Sequence, residues 1–252
     1  MTDANIATRA AGEKPYLERT LSDIAVQIPG ATAIFRKYKL DFCCGGGATL
    51  GRAAMQKGFA PDDIVGELCM IDGRRQSDVP AETTALIDHI LNRYHEVHRR
   101  ELPELIRLAK RVEAVHRDHP KVPTGLAAAL EDMLRELEAH MQNEELVLFP
   151  MMRDGGNPMI GQPIDRMRIE HDEHGERLRA LELLSDYGKS PEGACPTWRA
   201  LYAGTRKLTD DLMEHIHLEN NILFPRFVAP HAESAKEQSG GSGNNRHLSL
   251  QR

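Results

Sequence analysis

The sequence predicts an all-α protein, an up-down four-helix bundle preceded by a small helical N-terminal domain. Apolar residues recur at alternating steps of three and four over long stretches, which is typical of helices with one buried face. A helical hairpin also occurs twice, because the segment at 140–150 nearly repeats at 215–225. Two hairpins that pack together form a four-helix bundle, so both observations predict the same architecture.

Each copy of the repeat carries a His and a Glu four residues apart, followed by an apolar run that ends in Leu-Phe-Pro. Residues with this spacing share one helix face, about one turn apart. The upstream helices repeat as well, since His95 and His98 have the same spacing as His171 and His174. The pseudo-twofold symmetry of two hairpins would bring the four His-bearing stretches to one height in the bundle.

Several of these polar residues lie on the predicted core stripes of the four bundle helices. The first helix, from about Glu82 to Val115, has the stripe Ile87, Leu91, Leu102, Leu105, Ala109 and Val112. The second has Leu126, Leu130, Met133, Leu137, His140, Glu144, Val147 and Met151. The third has Ile164, Met167, His171, His174, Leu178 and Leu181. The fourth has Trp198, Leu201, Thr205, Leu208, Leu212, His215, Glu219 and Ile222.

Glutamates on core stripes predict a metal site. An ionised Glu is almost never fully buried without a partner, and an unpaired buried charge is very costly. A single core His is usually only hydrogen-bonded, and a single His-x-x-x-Glu pair is usually part of a solvated helix face. Four His and two Glu on core stripes, related by an internal repeat, favour a ligand set for two transition-metal ions. Spacing alone does not identify the metal.

Periodicity leaves one member of this ligand set open. His95 and His98 both lie near the stripe of the first bundle helix, so spacing cannot choose between them. Four other histidines are out of phase with the stripes or lie near the end of a helix. We expect these at the surface or at helix ends: His89, His116, His119 and His217.

Breaks in the helical pattern divide the chain into four parts. We expect a flexible tail at 1–15, a small helical domain with two adjacent cysteines at 16–78, the bundle at 79–230 and a flexible tail at 231–252. Within the small domain, Thr20 and Pro61 occupy positions typical of helix starts.

Composition argues against several classes of function. The net charge of −6 argues against general binding to nucleic acids or anionic membranes. No stretch approaches the ~20 apolar residues of a membrane-spanning helix, and the N-terminus lacks the apolar core of a secretion signal. Four cysteines, two of them adjacent, do not resemble a disulfide framework. The cytoplasm is therefore the expected location.

The adjacent cysteines, Cys43 and Cys44, precede three glycines. Adjacent thiols chelate one metal ion less easily than a Cys-x-x-Cys pair does. If this loop opened a helix, the helix N-terminus would lower the thiol pKa and make the thiols more reactive. The other interpretation is a Gly-rich turn with two incidental thiols, and the chemistry of the residues does not decide between them. Cys69 is expected in the core and Cys195 in a loop.

Three segments together resemble a known family, the iron–sulfur cluster repair di-iron proteins (the RIC family), whose bundle is hemerythrin-like. They are 35–46, which contains the adjacent cysteines, 93–105, and the two His-x-x-x-Glu motifs that end in Leu-Phe-Pro. The resemblance spans roughly residues 16–228. Adjacent cysteines combined with this bundle are specific to the family, whereas either feature alone would be a weaker signal.

The resemblance implies two non-haem iron ions with oxo and carboxylate bridges. It selects as metal ligands His95, His140, Glu144, His171, His215 and Glu219. It thus favours His95 over His98. His98 and His174 are interpreted as extra ligands or as neighbours of the ligands. His174 is a departure, because a hemerythrin oxygen carrier spaces the His residues of its third helix four apart, and here the spacing is three.

The resemblance also implies a cytoplasmic stress protein, often a homodimer, that restores iron–sulfur clusters damaged by nitric oxide or oxidants. Our hypothesis is that the site supplies iron to damaged iron–sulfur proteins, with Cys43 and Cys44 taking part in transfer or docking. One alternative is a di-iron enzyme that consumes or reduces nitric oxide. Another is a module that binds oxygen or nitric oxide as a sensor. No nucleic acid and no membrane is expected as a partner.

Overall fold

The computed structural model describes residues 14–72 and 79–228, which form helices and connecting loops. Neither range contains a strand, and one isolated β-bridge pairs Thr20 with Thr49. No helix in these ranges is both long and apolar enough to span a membrane. The predicted tail at 231–252, most of the predicted tail at 1–15 and the predicted domain boundary at 78 lie outside the described residues.

Residues 14–72, which we call the front module, begin with a 3-10 turn (Tyr16–Glu18). The helices that follow are α1 (Leu21–Gln27), α2 (Ala31–Lys37), α3 (Leu50–Gln56) and α4 (Pro61–Ile71). The Thr20 hydroxyl accepts a hydrogen bond from the Asp23 backbone N–H at 3.1 Å and caps α1. Pro61 is the first residue of α4. Both helix starts lie where the sequence predicts them.

Four long helices form the bundle. The first consists of α5 (Thr83–Ile90), a π-helical turn (Leu91–His95) and α6 (Glu96–Val115). The second consists of α7 (Leu126–Asn143), a π-helical turn (Glu144–Leu148) and α8 (Phe149–Arg153). The third is α9 (Gly161–Leu184). The fourth consists of α10 (Pro196–His217), a π-helical turn (Leu218–Leu223) and a 3-10 turn (Phe224–Arg226).

The packing of these helices confirms the predicted fold class. Helix α6 packs against α7 and α10, and α9 packs against the same two helices. Each bundle helix therefore has two neighbours, and consecutive helices are adjacent, as in an up-down bundle. The front module contacts the C-terminal end of the fourth bundle helix, where α1 packs on the π-helical turn at Leu218–Leu223.

The three π-helical turns lie at the predicted metal ligands, because they contain His95, Glu144 and Glu219. A π-helical turn adds one residue to the helix and often occurs at a functional site. The extra residue shifts the buried stripe by one position in the second bundle helix. Leu148 and Met152 are buried there in place of the predicted Val147 and Met151, and Val147 is 51% exposed.

Two further stripe predictions fail at the other two π-helical turns. Leu91 and Ile222 are only half-buried, whereas their neighbours Ile90 and Leu223 are fully buried. The third bundle helix provides the comparison, since α9 has no π-helical turn. Its buried residues are the predicted set: Ile164, Met167, His171, His174, Leu178 and Leu181. Among the residues that the stripes name as buried, the prediction therefore fails only at or next to a π-helical turn.

A layer of polar residues divides the apolar core. One apolar cluster extends from the front module into the adjoining half of the bundle. A second cluster fills the other end of the bundle. On α9, Met167 belongs to the second cluster and Leu178 to the first, so His171 and His174 lie between them. The predicted metal ligands are therefore enclosed by apolar side chains on both sides.

The loop with the adjacent cysteines is tightly packed at Gly46. A Cβ atom at Gly46 would lie 2.6 Å from the Phe42 carbonyl oxygen and 3.0 Å from the Ser22 Cβ atom. We expect Gly46→Ala to lower the free energy of unfolding by about 1–3 kcal/mol, because overpacking costs this much. Gly66→Ala in α4 is the matched control, since an added Cβ there meets no atom within 4 Å. Urea unfolding followed by circular dichroism measures both, and equal loss of stability in both variants would contradict the expectation.

Candidate metal centre

The four bundle helices bring six polar side chains into one buried group. They are the residues of the expected ligand set: His95, His140, Glu144, His171, His215 and Glu219. Each of these residues is at most 2% exposed to solvent. Their donor atoms form two clusters that share both glutamates, and the atoms of each cluster lie within 4.8 Å of one another.

The imidazoles form two pairs. His95 and His215 belong to the first and fourth bundle helices, and their Nε2 atoms are 3.1 Å apart. His140 and His171 belong to the second and third bundle helices, and their Nε2 atoms are 3.0 Å apart. We call the first pair half-site A and the second pair half-site B. In each pair both ring nitrogens point at the same small volume.

The two glutamates connect the half-sites. Glu144 Oε2 lies 3.4 Å from His95 Nε2, and Glu144 Oε1 lies 3.3 Å from His140 Nε2. Glu219 Oε1 lies 3.1 Å from His215 Nε2, and Glu219 Oε2 lies 3.1 Å from His171 Nε2. Each carboxylate therefore presents one oxygen to half-site A and the other to half-site B, the arrangement that a bridging carboxylate requires.

The hydrogen bonding of these carboxylates is incomplete. Both oxygens of Glu144 and the Oε2 atom of Glu219 are buried without a hydrogen-bond partner. Buried polar atoms are rarely left in this state, and a buried charge needs a compensating one. Two imidazole nitrogens and two carboxylate oxygens in each half-site are donors that bind first-row transition metals. The donor set and the unpartnered oxygens therefore fit two metal ions.

The electrostatics of the group lead to the same conclusion. Burial raises the pKa of Glu144 and Glu219, but the facing imidazoles outweigh burial and hold both pKa values below the usual range. Burial lowers the pKa of His140, but Glu144, Glu170 and Glu219 outweigh it and raise the pKa to about 10. The carboxylates thus stay ionised in the apolar core, where protonated imidazole supplies the positive charge beside them in the absence of metal. Metal ions that replaced those protons would supply the same charge.

Carboxylates outside the group orient one imidazole of each half-site. His95 Nδ1 lies 2.7 Å from Glu145 Oε1, and Arg99 binds the same oxygen at 2.8 Å. His140 Nδ1 lies 2.8 Å from Glu170 Oε2. An Nδ1–H group that donates to a carboxylate leaves the Nε2 lone pair free to bind a metal.

The other imidazole of each half-site is held differently. His171 Nδ1 bonds to Asn220 Oδ1 at 2.9 Å. His215 Nδ1 is buried without a hydrogen-bond partner, and the Tyr94 ring stacks on the His215 ring at 5.3 Å with an interplanar angle of 8°. Packing rather than hydrogen bonding therefore orients His215.

Sequence reasoning missed these outer partners, although a signal was present. Glu145, Glu170 and Asn220 are each adjacent in sequence to a residue of the expected ligand set. Successive helix residues differ in direction by about 100°, so the neighbour of an inward-facing residue reaches toward the next helix. Polar residues that flank a ligand position are therefore candidates to orient a ligand on the adjoining helix.

His98 and His174 are buried beside the half-sites but belong to neither cluster of donor atoms. The His98 ring lies 5.6 Å from the His215 ring, and the His174 ring lies 4.9 Å from the His140 ring. Burial lowers the pKa of His98 well below its usual value and that of His174 to about 2, so both are neutral. On the first bundle helix it is the His95 ring that points into the group.

The expectation that His217 lies at the surface is wrong. His217 is 2% exposed, and the edge of its ring meets the Phe42 ring at a centroid distance of 5.5 Å. The front module covers this face of the fourth bundle helix, which the periodicity of the helix alone does not reveal. His89 is half-buried beside Tyr94, and His116 and His119 lie near the expected helix end.

The loop with the adjacent cysteines is organised by Asp41. Its Oδ1 atom accepts backbone N–H groups from Cys44 and Gly45, each at 3.0 Å. The two thiol sulfurs lie 3.5 Å apart, and no disulfide occurs among the described residues. This loop does not open a helix, since α3 begins only at Leu50. The condition for a lowered thiol pKa is therefore not met, and contact with the Cys44 thiol together with burial raises the pKa of Cys43 well above its usual value.

This loop is docked on the metal-ligand layer. The Asn220 side chain bonds to His171 and also donates to the Cys43 carbonyl at 3.1 Å. The Asn221 side chain donates to the Phe42 carbonyl at 3.1 Å. The Cys44 thiol donates to the backbone carbonyl of His171 at 3.4 Å. The adjacent cysteines therefore touch the backbone and one outer partner of half-site B.

Comparison with known proteins supports this description. Residues 86–227 match the Hemerythrin HHE cation binding domain, and residues 17–72 match ScdA_N, a domain of unknown function. The chain is 44% identical over 218 residues to a probable iron-sulfur cluster repair protein of Haemophilus influenzae, covering 84% of this chain and 98% of the relative. It is 46% identical over 216 residues to the iron-sulfur cluster repair protein YtfE of Escherichia coli O81, covering 85% of this chain and 98% of the relative. The chain therefore belongs to the iron-sulfur cluster repair protein family, and its bundle is a hemerythrin-like cation-binding domain.

Proposed function

We propose that this protein repairs iron–sulfur clusters damaged by nitrosative or oxidative stress, by supplying iron from a labile centre in the bundle. The observation that carries the proposal is the pair of buried carboxylates, Glu144 and Glu219, which each present one oxygen to half-site A and the other to half-site B. The names of the similar proteins support the repair role. The matched cation-binding domain supports a metal in the bundle.

The centre that we propose contains two non-haem iron ions. His95 and His215 would hold one ion and His140 and His171 the other, with the two glutamates and an oxo group as the proposed bridges. Imidazole and carboxylate donors in combination suit iron. Bound in this way, each ion has fewer than six protein ligands, which leaves positions open to a small ligand such as nitric oxide or oxygen.

The side chains around the centre have separate tasks in this proposal. Glu145 and Glu170 fix the His95 and His140 rings with Nε2 directed inward, and their contacts support this role. The apolar clusters on both sides keep water away from the carboxylates. His98 and His174 are neutral neighbours that line the layer without adding charge.

We also propose that Cys43 and Cys44 receive iron or dock the damaged iron–sulfur protein. The position of the two cysteines supports this role, because their loop accepts a hydrogen bond from Asn220 and donates one to the His171 carbonyl. Cys43 is 5% exposed, so the loop has to open before a partner reaches both thiols.

The partners in this proposal are damaged iron–sulfur proteins, and the protein acts as a cytoplasmic homodimer. Light scattering of the purified protein tests the dimer.

A second candidate function is sensing of nitric oxide or oxygen, with the front module as the output. It is favoured by Asn220 and Asn221, which bond the last bundle helix to the cysteine loop. A change of oligomeric state when nitric oxide is added to the iron-loaded protein would support sensing. Catalytic turnover of nitric oxide with an electron donor would instead indicate a nitric oxide-reducing enzyme, and stoichiometric uptake would exclude one.

The first test removes one imidazole from half-site B. We expect His140→Ala to lower both the iron bound by the purified protein and its ability to reactivate an iron–sulfur enzyme inactivated by nitric oxide. His89→Ala is the matched control, because His89 lies on a bundle helix outside both half-sites. Iron is measured by plasma mass spectrometry. A His140→Ala variant with wild-type iron and wild-type repair would contradict the proposal.

The second test concerns the carboxylate that orients His140. We expect Glu170→Gln to weaken iron binding about ten- to a hundredfold, as is typical when the hydrogen-bond partner of a metal-ligating His is changed. Glu173→Gln is the matched control, since Glu173 is exposed on the same helix and pairs only with Arg177 among the described residues. Competition with a calibrated iron chelator measures both affinities. Equal affinities for the two variants would count against the proposed role of Glu170.

The third test separates the thiols from the iron centre. We expect the double variant Cys43→Ser, Cys44→Ser to keep its iron and to lose most of its repair activity. Cys69→Ser, which changes a half-buried thiol of α4, is the control. Full repair by the double variant would remove the adjacent cysteines from the mechanism while leaving the iron centre in place.

A further inference from the structure

A second group of reactive side chains lies away from the metal centre, at the end of the bundle where α6 ends and α10 begins. Cys195, which the sequence places in a loop, is the N-cap residue of the 22-residue helix α10 and is half-buried. His116 follows the last residue of α6, and its Nε2 atom lies 3.2 Å from Cys195 Sγ. His116 is separated from His95 by roughly 30 Å of helix, so this pair is independent of the metal centre.

The Cys195 sulfur has two polar neighbours. The Trp198 backbone N–H donates a hydrogen bond to Sγ at 3.4 Å, and the His116 imidazole faces Sγ from the other helix. A neutral thiol is a weak hydrogen-bond acceptor. Helix N-termini and neighbouring imidazoles are the surroundings in which nucleophilic cysteines occur, because both stabilise negative charge on sulfur.

Aromatic packing fixes the imidazole in place. The His116 ring lies 5.0 Å from the Trp198 ring, and the His119 ring packs edge-to-face on the same Trp198 side chain at 5.2 Å. Trp198 is 1% exposed and therefore anchored in the core. His116 thus keeps its Nε2 atom beside the sulfur, whereas His119 shares the same tryptophan without a contact to Cys195 in the described structure.

Helix capping alone does not explain why a cysteine and an imidazole occur together here. Ser, Thr, Asn and Asp are the preferred helix N-caps, and a thiol adds no capping strength that a hydroxyl lacks. A cap also needs no imidazole at the sulfur. Partial exposure leaves Cys195 reachable by a small molecule, unlike Cys43, which is 5% exposed. The site therefore combines a nucleophile (Cys195), a base (His116) and a helix N-terminus, and it is open to small molecules.

We propose that Cys195 and His116 form a thiol–imidazole pair that reacts with low-molecular-weight disulfides. The imidazole Nε2 takes the proton from the thiol, and Sγ attacks one sulfur of the small disulfide. A new S–S bond to Cys195 forms as the original S–S bond breaks, and the departing thiolate takes the proton from His116. Cys195 is oxidised to a mixed disulfide, and the second half of the small disulfide is reduced to a thiol.

The reaction has an internal reporter, because Trp198 is the single tryptophan of the chain, its ring lies 5.0 Å from the His116 ring, and its backbone N–H contacts the reacting sulfur. The purified full-length protein is mixed with oxidised glutathione, and tryptophan fluorescence and peptide mass spectrometry follow the modification. We expect the Cys195 thiol of the wild-type protein to react about tenfold faster than the half-buried Cys69 thiol. This comparison needs no substitution and so does not depend on the folding of a variant.

Two matched variants test the role of the imidazole. His116→Gln keeps an N–H group but cannot accept the proton, and we expect it to slow the reaction of Cys195 about tenfold. His119→Gln makes the same chemical change against the same tryptophan, and its rate should stay within about twofold of wild type. Iron content should be unchanged in both. A Cys195 thiol no faster than Cys69, or equal rates for the two variants, would overturn the proposal.

Discussion

The structure depends on two ionised glutamates in a dehydrated helical core. Glu144 and Glu219 are fully buried, and the facing imidazoles hold both pKa values below the usual range. A buried charge of this kind is tolerated only when positive charge lies beside it. The arrangement of four imidazoles, of outer carboxylates and of apolar clusters on either side follows from that requirement.

Three of the four bundle helices depart from regular α geometry where these polar residues face the core. The π-helical turns that contain His95, Glu144 and Glu219 change the register of three bundle helices at the height of the buried histidines and glutamates. Because α9 has no such turn, it shows the regular stripe for comparison. The extra residue in each turn allows polar residues and the apolar residues after them to face the core. The Leu-Phe-Pro segments lie directly at or after these turns, so Phe149 and Phe224 close the second apolar cluster.

The sequence was sufficient for the fold class, the repeat and the set of histidines and glutamates that face the core. Spacing rules worked for His171 and His174 on α9, where the helix is regular. They failed for Val147, because a π-helical turn is a local departure that no fixed period describes. They failed for His217 because its burial depends on the front module, which is distant in sequence.

Other features of the centre are properties of the packed structure. Half-site A joins the first and fourth bundle helices, and half-site B joins the second and third, a pairing that the repeat alone does not specify. The outer partner Asn220 could be suspected from its place beside Glu219, but its second bond to Cys43 requires the docked front module. Likewise, Cys195 and His116 lie in separate loop and helix-end segments, and only the packing of α6 beside α10 brings them together.

A crystal structure of iron-loaded protein, with anomalous scattering recorded at the iron absorption edge, would locate the metal ions. We expect two anomalous peaks between Glu144 and Glu219, one beside His95 and His215 and the other beside His140 and His171. A well-folded protein without a peak in this layer, with the two carboxylates apart and hydrated, would contradict this expectation.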